Sequence, residues 1–325
     1  MKLNDKIYIA GHHGLVGSAL IRQLQAKRYN NIITRTHAEL DLTNQKSVED
    51  FFISEKPEYV ILAAAKVGGI QANNSYPAEF IHLNLQIQTN VIHQSYKAGV
   101  RRLIFLGSSC IYPRNCPQPI KEEYFLTGPL EPTNRPYALA KISGIEMCWS
   151  YNRQYGTQYL AIMPTNLYGK GDSYHPESSH VIPALIRKFY EAKINNNSNV
   201  ILWGTGKPRR EFLYSDDMAD GCIFAINLED KIFESLIASD RNDGLPPILN
   251  LGSGKDLSIT ELANLIKDIV GFKGGISFDS NKPDGTLRKL LDSSRLNKLG
   301  WREITEFKKG LYDVYEDFKN CEGLK

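Results

Sequence analysis

The sequence predicts an α/β protein, built on a doubly wound parallel sheet with a smaller α/β domain at its C-terminal end. Short apolar runs alternate with helical patterns through the first half of the chain, and parallel strands need the crossover connections that such helices provide. The runs are nearly continuous in apolar residues, as in a sheet covered on both faces. The length of 325 residues also predicts about two domains, at the usual ~150 residues each.

Apolar periodicity and the positions of Gly and Pro predict the elements of the first half. In chain order they are strand 6–10, helix 15–27, strand 31–34, helix 45–54, strand 59–62, helix 77–98, strand 102–106, helix 137–153 and strand 159–163. The prolines between 112 and 136 predict a surface loop.

The second half of the chain has a less regular pattern. Beyond 165 the strands are short, the loops are long, and helices are predicted near 183–192 and 259–270. We therefore expect a Rossmann domain over 1–165 and a second domain over 166–325. Segments near 212–222 and 248–252 could rejoin the main sheet.

Composition and charge exclude several classes of function. The formal net charge is +3, from 39 basic and 36 acidic residues, which gives no general attraction to nucleic acid or to membranes. No apolar run approaches the ~20 residues that span a bilayer, and the N-terminus carries no secretory pattern, so we expect a cytoplasmic protein. The five cysteines form no CxxC pair and predict reduced thiols rather than disulfides or a metal site.

A glycine-rich turn lies between the first strand and the first helix. Its glycines have the spacing G-x-x-G-x-x-G, in the segment Gly11, His12, His13, Gly14, Leu15, Val16 and Gly17. Glycine lets the backbone turn sharply and approach a pyrophosphate, and the helix N-terminus offers free amides and a partial positive charge. The turn therefore predicts a dinucleotide site, with a purely structural turn as the alternative.

The end of the second strand predicts which dinucleotide binds. Sites for NAD place an acidic residue there to bind the ribose 2′-hydroxyl, but this strand ends in Arg35 and the first acid is Glu39. Arg35, with His13 and His37 nearby, suits a 2′-phosphate, so we predict NADP(H). The alternative is a solvated Arg35, with the acid supplied by Asp41. Because imidazoles titrate near neutral pH, the affinity for NADPH is expected to depend on pH.

Tyr137 and Lys141 lie four residues apart in a predicted helix and therefore share one of its faces. An ammonium beside a phenol lowers the phenol pKa from about 10 toward the working range, which suits proton exchange as a carbonyl and an alcohol interconvert. Ser108 follows the fourth strand, at the ligand-binding edge of such sheets, and could bond the same oxygen. The chain's other Tyr-x-x-x-Lys pair, Tyr315 and Lys319, has no such serine or glycine loop around it.

Several segments spread over nearly the whole chain carry a family pattern. They are the glycine loop, 63–70 (AAAKVGGI), 106–113 (LGSSCIYP), 137–141 (YALAK), 163–169 (MPTNLYG), 180–184 (HVIPA) and 282–286 (KPDGT). Together they resemble the extended short-chain dehydrogenase/reductase family and, within it, the epimerase/reductases of GDP-linked sugars. The resemblance implies that GDP-4-keto-6-deoxymannose is epimerised at C3 and C5 and then reduced at C4 with hydride from NADPH.

The resemblance assigns the proton exchange at C3 and C5 to Cys110 and His180. A thiol and an imidazole have ordinary pKa values of about 8.5 and 6.5, close enough to neutral for both duties. The alternatives are a small buried hydrophobe for Cys110 and a helix-start or loop position for His180. Similar enzymes that dehydrate a sugar carry acidic residues just after the strand-end hydroxyl, where this chain has Ser109 and Cys110, so a dehydratase fits less well.

The resemblance also implies the contacts of the cofactor and the sugar nucleotide. Cofactor contacts fall on the glycine loop and on Arg35, His37, Asp41, Leu42, Leu106, Gly107, Ser108, Lys141, Pro164, Asn166, Leu167 and His180. Substrate contacts fall on Lys188, Trp203, Arg210 and Asp284, where cations suit a diphosphate and an indole packs against a ring. The alternatives are a core tryptophan and solvated charges. Residues 1–165 would then bind NADP and 166–325 the sugar nucleotide.

Further expectations concern the assembly and the exact activity. Helices 80–98 and 137–153 are expected to form a four-helix contact in a homodimer, as in related enzymes. The 3,6-dideoxy sugar that lacks the C3 hydroxyl is an alternative substrate, and the sequence does not separate the two sugars. A cofactor-sensing protein without catalysis is the alternative class, against which the intact Ser108, Tyr137 and Lys141 argue.

Overall fold

The structure, a computed structural model, describes residues 1–176, 179–238, 244–282 and 284–322, without the side chains of residues 70, 71, 321 and 322. Over this part of the chain the strands are β1 Ile7–Ala10, β2 Ile32–Ile33, β3 Tyr59–Leu62, β4 Arg102–Leu106, β5 Tyr159–Pro164, β6 Asn166–Tyr168, β7 Asn199–Trp203, β8 Arg209–Tyr214, β9 Ile248–Leu251, β10 Asp256–Ser258, β11 Gly275–Asp279 and β12 Arg288–Lys289. The helices are α1 Leu15–Ala26, α2 Gln45–Glu55, α3 Ile70–Ser75, α4 Pro77–Lys97, α5 Arg135–Tyr155, α6 Val181–Ile194, α7 Ser215–Ile226, α8 Asp230–Ile237, α9 Ile259–Val270, α10 Ser294–Lys298 and α11 Phe307–Glu322.

Six strands form one parallel sheet, in the order β2-β1-β3-β4-β5-β9. Strands β1 and β3 are buried along their whole length and pair in register, with Ile7 opposite Tyr59 and Ala10 opposite Leu62. Branched and aromatic side chains fill both faces of these strands, which is typical of a parallel sheet covered on two sides. The predicted doubly wound parallel sheet is confirmed.

Helices cover both faces of this sheet, and each face has its own apolar core. On one face α2, α4 and α5 pack over alternate strand residues such as Tyr8 and Phe105. On the other face α1, α7 and α8 pack over the intervening residues, such as Ile9 and Ile104. Because neighbouring residues of a strand point to opposite faces, the same short strands build both cores.

A third core lies in the C-terminal half and forms the smaller α/β part of the fold. It joins α6, α9 and α11 to β7 and β8, with Phe189, Leu262 and Phe318 among its buried residues. Strand β8 is antiparallel to β10 and parallel to β6 and β12, while β7 pairs with β11 in a parallel ribbon.

Two elements from the second half of the chain pack with the main sheet. Strand β9 pairs with β5, with Ala161 opposite Ile248, and α7 contributes to the same core as α1. Arg22 of α1 and Asp216 of α7 form an ion pair between these helices. The boundary near 165 stays a prediction: β9 belongs to the main sheet, and α7 packs on it.

The sequence pattern misses α3, α7 and α8, and its prediction for 112–136 is wrong. That segment is not a simple surface loop, because Ile120 and Glu122 are buried. The backbone amide of Ile120 donates to Leu290, and its carbonyl accepts from Asp292. The segment therefore fills the space between the main sheet and the chain around β12.

Within the described residues, no helix has the length and apolar character needed to cross a membrane. The same part of the chain has no group of at least 3 His, Cys, Asp or Glu side chains placed to hold a metal ion. Cys110, Cys116, Cys148 and Cys222 are free thiols, and the side chain of Cys321 lies outside the description.

Candidate active site

Most of the predicted cofactor and catalytic residues lie at one edge of the main sheet. The strands are parallel, so their carboxyl ends meet at that edge, where folds of this class bind ligands. Gly11 follows β1, Gly107 and Ser108 follow β4, and Pro164 ends β5. The sheet therefore brings together residues that are far apart in the sequence.

The glycine loop is too tight for a side chain at two of its three glycines. Gly11 has a φ of +87°, and a Cβ there would lie 2.6 Å from the Cα of Ala64. A Cβ on Gly17 would lie 2.1 Å from the carbonyl oxygen of Gly11. A Cβ on exposed Gly14 would make only an ordinary contact, 3.7 Å from the carbonyl oxygen of Gly11. Gly14 begins α1 with no side-chain cap and no acidic residue in the first turn. The exposed amides of α1 therefore fit a pyrophosphate.

The positive charge of Arg35, which follows β2, is partly neutralised by the carboxylate of Glu55. The guanidinium of Arg35 donates to Glu55 at 2.5 Å and to the carbonyl oxygen of Thr34 at 2.8 Å. It also lies 5.5 Å from the ring centre of Phe51. Arg35 is therefore neither a free cation nor fully solvated, because Glu55 at the end of α2 reaches it.

The other polar residues predicted for this part of the cofactor site are His12, His13, His37 and Asp41. The rings of His12 and His13 lie 3.9 Å apart, and burial, followed by the charge of His13, lowers the pKa of His12. The Nδ1 atom of exposed His37 lies 3.8 Å from Asp41. Hydrogen bonds from the amide and hydroxyl of Thr43 lower the pKa of Asp41. Both bonds end on Oδ1 of Asp41, whose side chain is 45% exposed, so the alternative that Asp41 binds a ribose stays open.

Further predicted cofactor residues lie at the carboxyl ends of β4 and β5 and in β6: Leu106, Gly107, Pro164, Asn166 and Leu167. The ammonium of Lys141 reaches this edge from α5 and donates to the carbonyl oxygen of Leu106 at 2.8 Å. Leu42 is buried in the core beside α2. Contacts of these residues with a cofactor stay predictions.

Ser108, Tyr137 and Lys141 form one cluster at the sheet edge, in which Lys141 is buried and the other two are half-buried. The ammonium of Lys141, one turn after Tyr137 in α5, lies 5.8 Å from the centre of the tyrosine ring. Burial raises the pKa of Tyr137, the charge of Cys110 raises it further, and a hydrogen bond with Ser108 lowers it. Burial also lowers the pKa of Lys141 to about 8.

The expectation that Lys141 brings the pKa of Tyr137 into the working range is wrong for this arrangement of side chains. Lys141 is only 4% exposed and bonds to Leu106 rather than to the phenol. Burial is therefore the largest influence on the pKa of Tyr137, ahead of the charge of Cys110 and the hydrogen bond with Ser108. Tyr137 is held as a neutral phenol, which suits a proton donor.

The buried ammonium of Lys141 is expected to cost stability at neutral pH. Its pKa of about 8 lies below the ordinary 10.5, so the unfolded chain binds this proton more tightly and stability rises as the pH rises from about 8 to 10.5. Lys141→Met removes the charge and should raise the free energy of unfolding at pH 7 by about 1–3 kcal/mol. Chemical denaturation at pH 7 and pH 10 checks this, because the advantage of the variant should shrink at the higher pH. A constant difference, or a less stable variant at pH 7, would contradict it.

The second Tyr-x-x-x-Lys pair lies apart from this site, in α11. The ammonium of Lys319 lies 5.1 Å from the ring centre of Tyr315 and pairs with Glu316 at 2.8 Å. Tyr315 packs in the third core. The spacing alone therefore gives a tyrosine–lysine contact, and the neighbouring Ser108 is what distinguishes Tyr137.

Cys110 belongs to the same cluster and has two neighbours that the sequence reasoning missed. Its backbone amide donates to the Oγ of Ser108 at 3.2 Å, at the start of a short 3-10 turn. The side-chain amide of Asn134 donates to the Cys110 sulfur at 3.3 Å, and the ammonium of Lys289 lies 3.6 Å from it. Because the thiol is half-buried, the alternative of a fully buried core cysteine is wrong.

His180 lies at the N-cap of α6, and its side chain is exposed. The helix-start alternative therefore describes its position. Asp172 is a charged neighbour: burial raises the pKa of Asp172, and the charge of His180 lowers it. One carboxylate oxygen of Asp172 is buried without a hydrogen-bond partner among the described residues. The part of His180 in proton exchange stays a prediction.

Two predicted substrate residues form an exposed group of an aromatic ring and cations. Trp203 is 61% exposed, and the ammoniums of Lys188 and Lys282 lie 5.9 and 5.4 Å from its ring centre. The alternative of a core tryptophan is therefore wrong. A flat exposed ring beside cations suits a planar ligand that carries negative charge. Pro283, in the same KPDGT segment, lies outside the described residues.

The other two predicted substrate residues are already bonded within the chain. Half-buried Arg210 donates to the carbonyl oxygens of Arg209 and Thr286 at 2.8 and 2.5 Å, and burial lowers its pKa. Asp284 accepts from the amide and the hydroxyl of Thr205 at 2.9 and 2.7 Å, and these bonds lower its pKa. The carboxylate of Asp284 thus holds its own turn together.

Comparison with known proteins places this arrangement among sugar-nucleotide enzymes. GDP-L-fucose synthase 1 of Arabidopsis thaliana is 56% identical over 311 residues, 96% of this chain and 92% of that protein. GDP-L-fucose synthase of Escherichia coli is 50% identical over 314 residues, 97% of this chain and 96% of that protein. GDP-L-colitose synthase of Yersinia pseudotuberculosis is more distant, at 37% identity over 97% of this chain and 98% of that protein.

Solved structures agree with these relatives. A GDP-6-OMe-4-keto-L-xylo-heptose reductase from C. jejuni superposes with a TM-score of 0.93 and 41% identity, over 99% of both chains. A GDP-L-fucose synthetase from Naegleria fowleri bound to NADP has a TM-score of 0.85 and 25% identity, over 99% of this chain and 96% of that one. The model of the NAD dependent epimerase/dehydratase family matches residues 7–236. The chain therefore belongs to the NAD dependent epimerase/dehydratase family.

Proposed function

We propose that this chain is an NADPH-dependent enzyme that converts GDP-4-keto-6-deoxy-D-mannose into GDP-L-fucose. The observation that carries the proposal is the cluster of Ser108, Cys110, Tyr137 and Lys141. The amide of Cys110 donates to Ser108 at 3.2 Å, and the ammonium of Lys141 lies 5.8 Å from the ring centre of Tyr137. One site thus offers a proton donor for an oxygen at C4 and a thiol for the neighbouring carbons. The relatives named for GDP-L-fucose synthesis support the choice of sugar.

NADP(H) is the proposed cofactor and, when bound, supplies the hydride for C4. The open N-terminus of α1 would hold the pyrophosphate, since Gly14 leaves its amides accessible. Lys141 would hold the nicotinamide ribose from the edge of β4. The proposal of NADP rather than NAD is supported by Arg35, the cation that follows β2.

The ion pair of Arg35 and Glu55 predicts how cofactor preference can be changed. Glu55→Gln releases the guanidinium and should strengthen binding of NADPH several-fold, whereas Arg35→Ala should weaken it by about tenfold. Neither change should alter the affinity for NADH, which lacks the 2′-phosphate. Fluorescence titration with both cofactors checks this. The control is Lys46→Ala, which removes an exposed cation from α2, the helix that carries Glu55. Equal effects on NADPH and NADH would refute the assignment of Arg35.

At C4, the chain's own residues manage the oxygen of the sugar ketone. Neutral Tyr137 donates its proton to this oxygen as the carbonyl becomes an alcohol, and Ser108 orients the ketone by a second hydrogen bond. Lys141 lies one turn away and, below a pH of about 8, carries the positive charge that supports the phenolate left behind. Lys141 is buried, whereas Tyr137 and Ser108 are half-buried and can reach a bound sugar.

At C3 and C5, the ketone at C4 acidifies the protons on both flanking carbons. Inversion needs a base on one face of the ring and an acid on the other. Cys110 lies beside Ser108 at the sheet edge, and His180, exposed at the start of α6, is the candidate for the second group. We propose that this pair exchanges the protons, with the GDP part held by Lys188, Trp203, Arg210 and Asp284.

The alternative substrate is the 3,6-dideoxy sugar used by GDP-L-colitose synthase. Incubating the protein with NADPH and each keto sugar separates the two, because turnover of the fucose precursor should be the faster. No turnover of that precursor would reject the proposal. A non-catalytic cofactor sensor would bind NADPH but oxidise it with neither sugar. The cluster of Ser108, Tyr137 and Lys141 argues against that alternative.

We also propose a cytoplasmic homodimer in which α4 and α5 of two copies form a four-helix contact. The helices pack side by side over the same core, and they expose aromatic and apolar groups. Tyr96 stacks on Tyr155 with ring centres 4.2 Å apart, Tyr155 is 47% exposed and Leu139 is 37% exposed. Sedimentation velocity should give a dimer, and Leu139→Glu should shift it toward a monomer.

A further inference from the structure

We propose that Asn134 is a positioning residue that fixes the thiol of Cys110 by donating a hydrogen bond to its sulfur. The amide nitrogen of Asn134 lies 3.3 Å from the sulfur, and the ammonium of Lys289 approaches the same atom to 3.6 Å. Both groups are donors in this contact. The sulfur is therefore held as an acceptor, and its own proton points away from Asn134 and Lys289. The catalytic meaning of this contact rests on the proposed function, although the contact itself does not.

The side chain of Asn134 makes this contact instead of the capping hydrogen bond that is usual at its position. It occupies the N-cap of α5, where an asparagine side chain usually accepts a hydrogen bond from an amide in the first turn. No cap bond from this side chain is present in the described α5, and its oxygen Oδ1 is buried without a partner among the described residues. Buried polar atoms are rarely left unpaired. The interaction that this orientation of the amide does form is the hydrogen bond from Nδ2 of Asn134 to the Cys110 sulfur.

The surrounding turn holds the backbone of Asn134 in place. The carboxylate of Glu131 accepts the hydroxyl of Thr133 at 2.5 Å and the backbone amide of Asn134 at 3.1 Å. This turn fixes the start of α5, the helix that also carries Tyr137 and Lys141. Asn134 therefore ties the position of the thiol to the helix that carries the proton donor for C4.

Lys289 brings the second donor from the other part of the fold. It lies in β12, next to β8, and the amide of Leu291 just after it donates to buried Glu211 at 2.9 Å. Cys110, Glu131 and Lys289 border one small cavity. The sulfur thus lies between a donor from α5 and a donor from the C-terminal half.

Alkylation of Cys110 tests the contact without using the sugar reaction. In this reaction the thiolate displaces iodide from iodoacetamide, and mass spectrometry of the Cys110 peptide follows its rate at pH 7.5. Asn134→Asp keeps the shape but replaces the donor by an acceptor, and should slow alkylation of Cys110 by about tenfold. Asn134→Gln keeps a donor and should retain a larger share of the rate. Cys116 in the same molecule should react at an unchanged rate.

Asn152→Asp is the matched control, since it removes a buried amide donor from the same helix. That amide donates to the carbonyl oxygen of Tyr159 at 2.8 Å, so its loss should lower stability without changing alkylation of Cys110. Wild-type alkylation of Cys110 in Asn134→Asp would overturn the proposal. Equal losses in Asn134→Asp and Asn134→Gln would also overturn it, because shape rather than donation would then matter.

Solvent exchange connects the contact to catalysis. In deuterium oxide with NADP⁺, exchange into C3 and C5 of the keto sugar should fall about tenfold in Asn134→Asp and recover in part in Asn134→Gln. Wild-type exchange in Asn134→Asp would overturn the positioning role. If the wild-type protein itself shows no exchange, the proposed function fails, and the alkylation rates still decide whether Asn134 fixes the thiol.

Discussion

Tyr137→Phe is expected to lower the rate of C4 reduction by at least about a hundredfold, the usual contribution of a positioned proton donor. The phenol is held neutral by burial and bonded to Ser108, so its proton is the one available to the sugar oxygen. The ring itself should remain in place, because its contact with Phe80, at 6.3 Å between ring centres, does not need the hydroxyl. Oxidation of NADPH, followed by absorbance with the keto sugar, measures the rate.

Tyr315→Phe is the matched control for this prediction. It changes the same kind of residue at the same spacing from a lysine, but in α11, where Tyr315 packs in the third core. Its reduction rate should equal that of the wild type. If Tyr137→Phe kept more than about a tenth of the wild-type rate, the assignment of Tyr137 as the proton donor would be wrong.

Cys110→Ser is expected to remove epimerisation, with a loss of about a hundredfold or more in solvent exchange at C3 and C5. A serine hydroxyl is a much weaker acid than a thiol, so it exchanges protons poorly near neutral pH. The ketone at C4 remains reducible by Tyr137 and the cofactor. NADPH should therefore be consumed slowly, and the product should keep the original configuration at C3 and C5.

Product analysis by nuclear magnetic resonance and mass spectrometry in deuterium oxide checks the Cys110 prediction. Cys116→Ser serves as control, because Cys116 is a half-buried thiol for which we propose no role in the reaction. A Cys110→Ser product that is fully inverted at both carbons would show that another group performs the exchange.

The sequence predicted the fold best where apolar runs and helix signals agree. Strand β3 and helix α9 have the predicted bounds, and α9 begins with a capping box between Ser258 and Glu261. Helix α7 was missed because three acids and a glycine interrupt its pattern, although its buried side chains pack on α1. Its place is decided by tertiary packing, which a local pattern does not show.

The sequence predicted which residue types form the site, but it did not predict how the folded surroundings shift their pKa values. The order of Ser108, Tyr137 and Lys141 in the sequence indicated a reductase, yet burial raises the pKa of Tyr137 instead of leaving Lys141 to lower it. Burial depends on the folded surroundings and has no local signal in the sequence. The same holds for Glu55, which reaches Arg35 from the far end of α2.

Asn134 and Lys289 were missed for two different reasons. Asn134 precedes a predicted helix, where an asparagine reads as an ordinary cap. Lys289 is distant from Cys110 in the chain, and no motif connects the two. An asparagine three residues before Tyr137 in a proline-rich turn is the signal that could have drawn attention to the first.

The central claim is that one site moves protons at C3 and C5 and reduces the ketone at C4. Conversion of GDP-4-keto-6-deoxy-D-mannose with NADPH in deuterium oxide tests it most directly. The account predicts GDP-L-fucose with solvent deuterium at C3 and C5 and with protium from the cofactor at C4. A reduced sugar without solvent deuterium, or an epimerised ketone that NADPH never reduces, would contradict it.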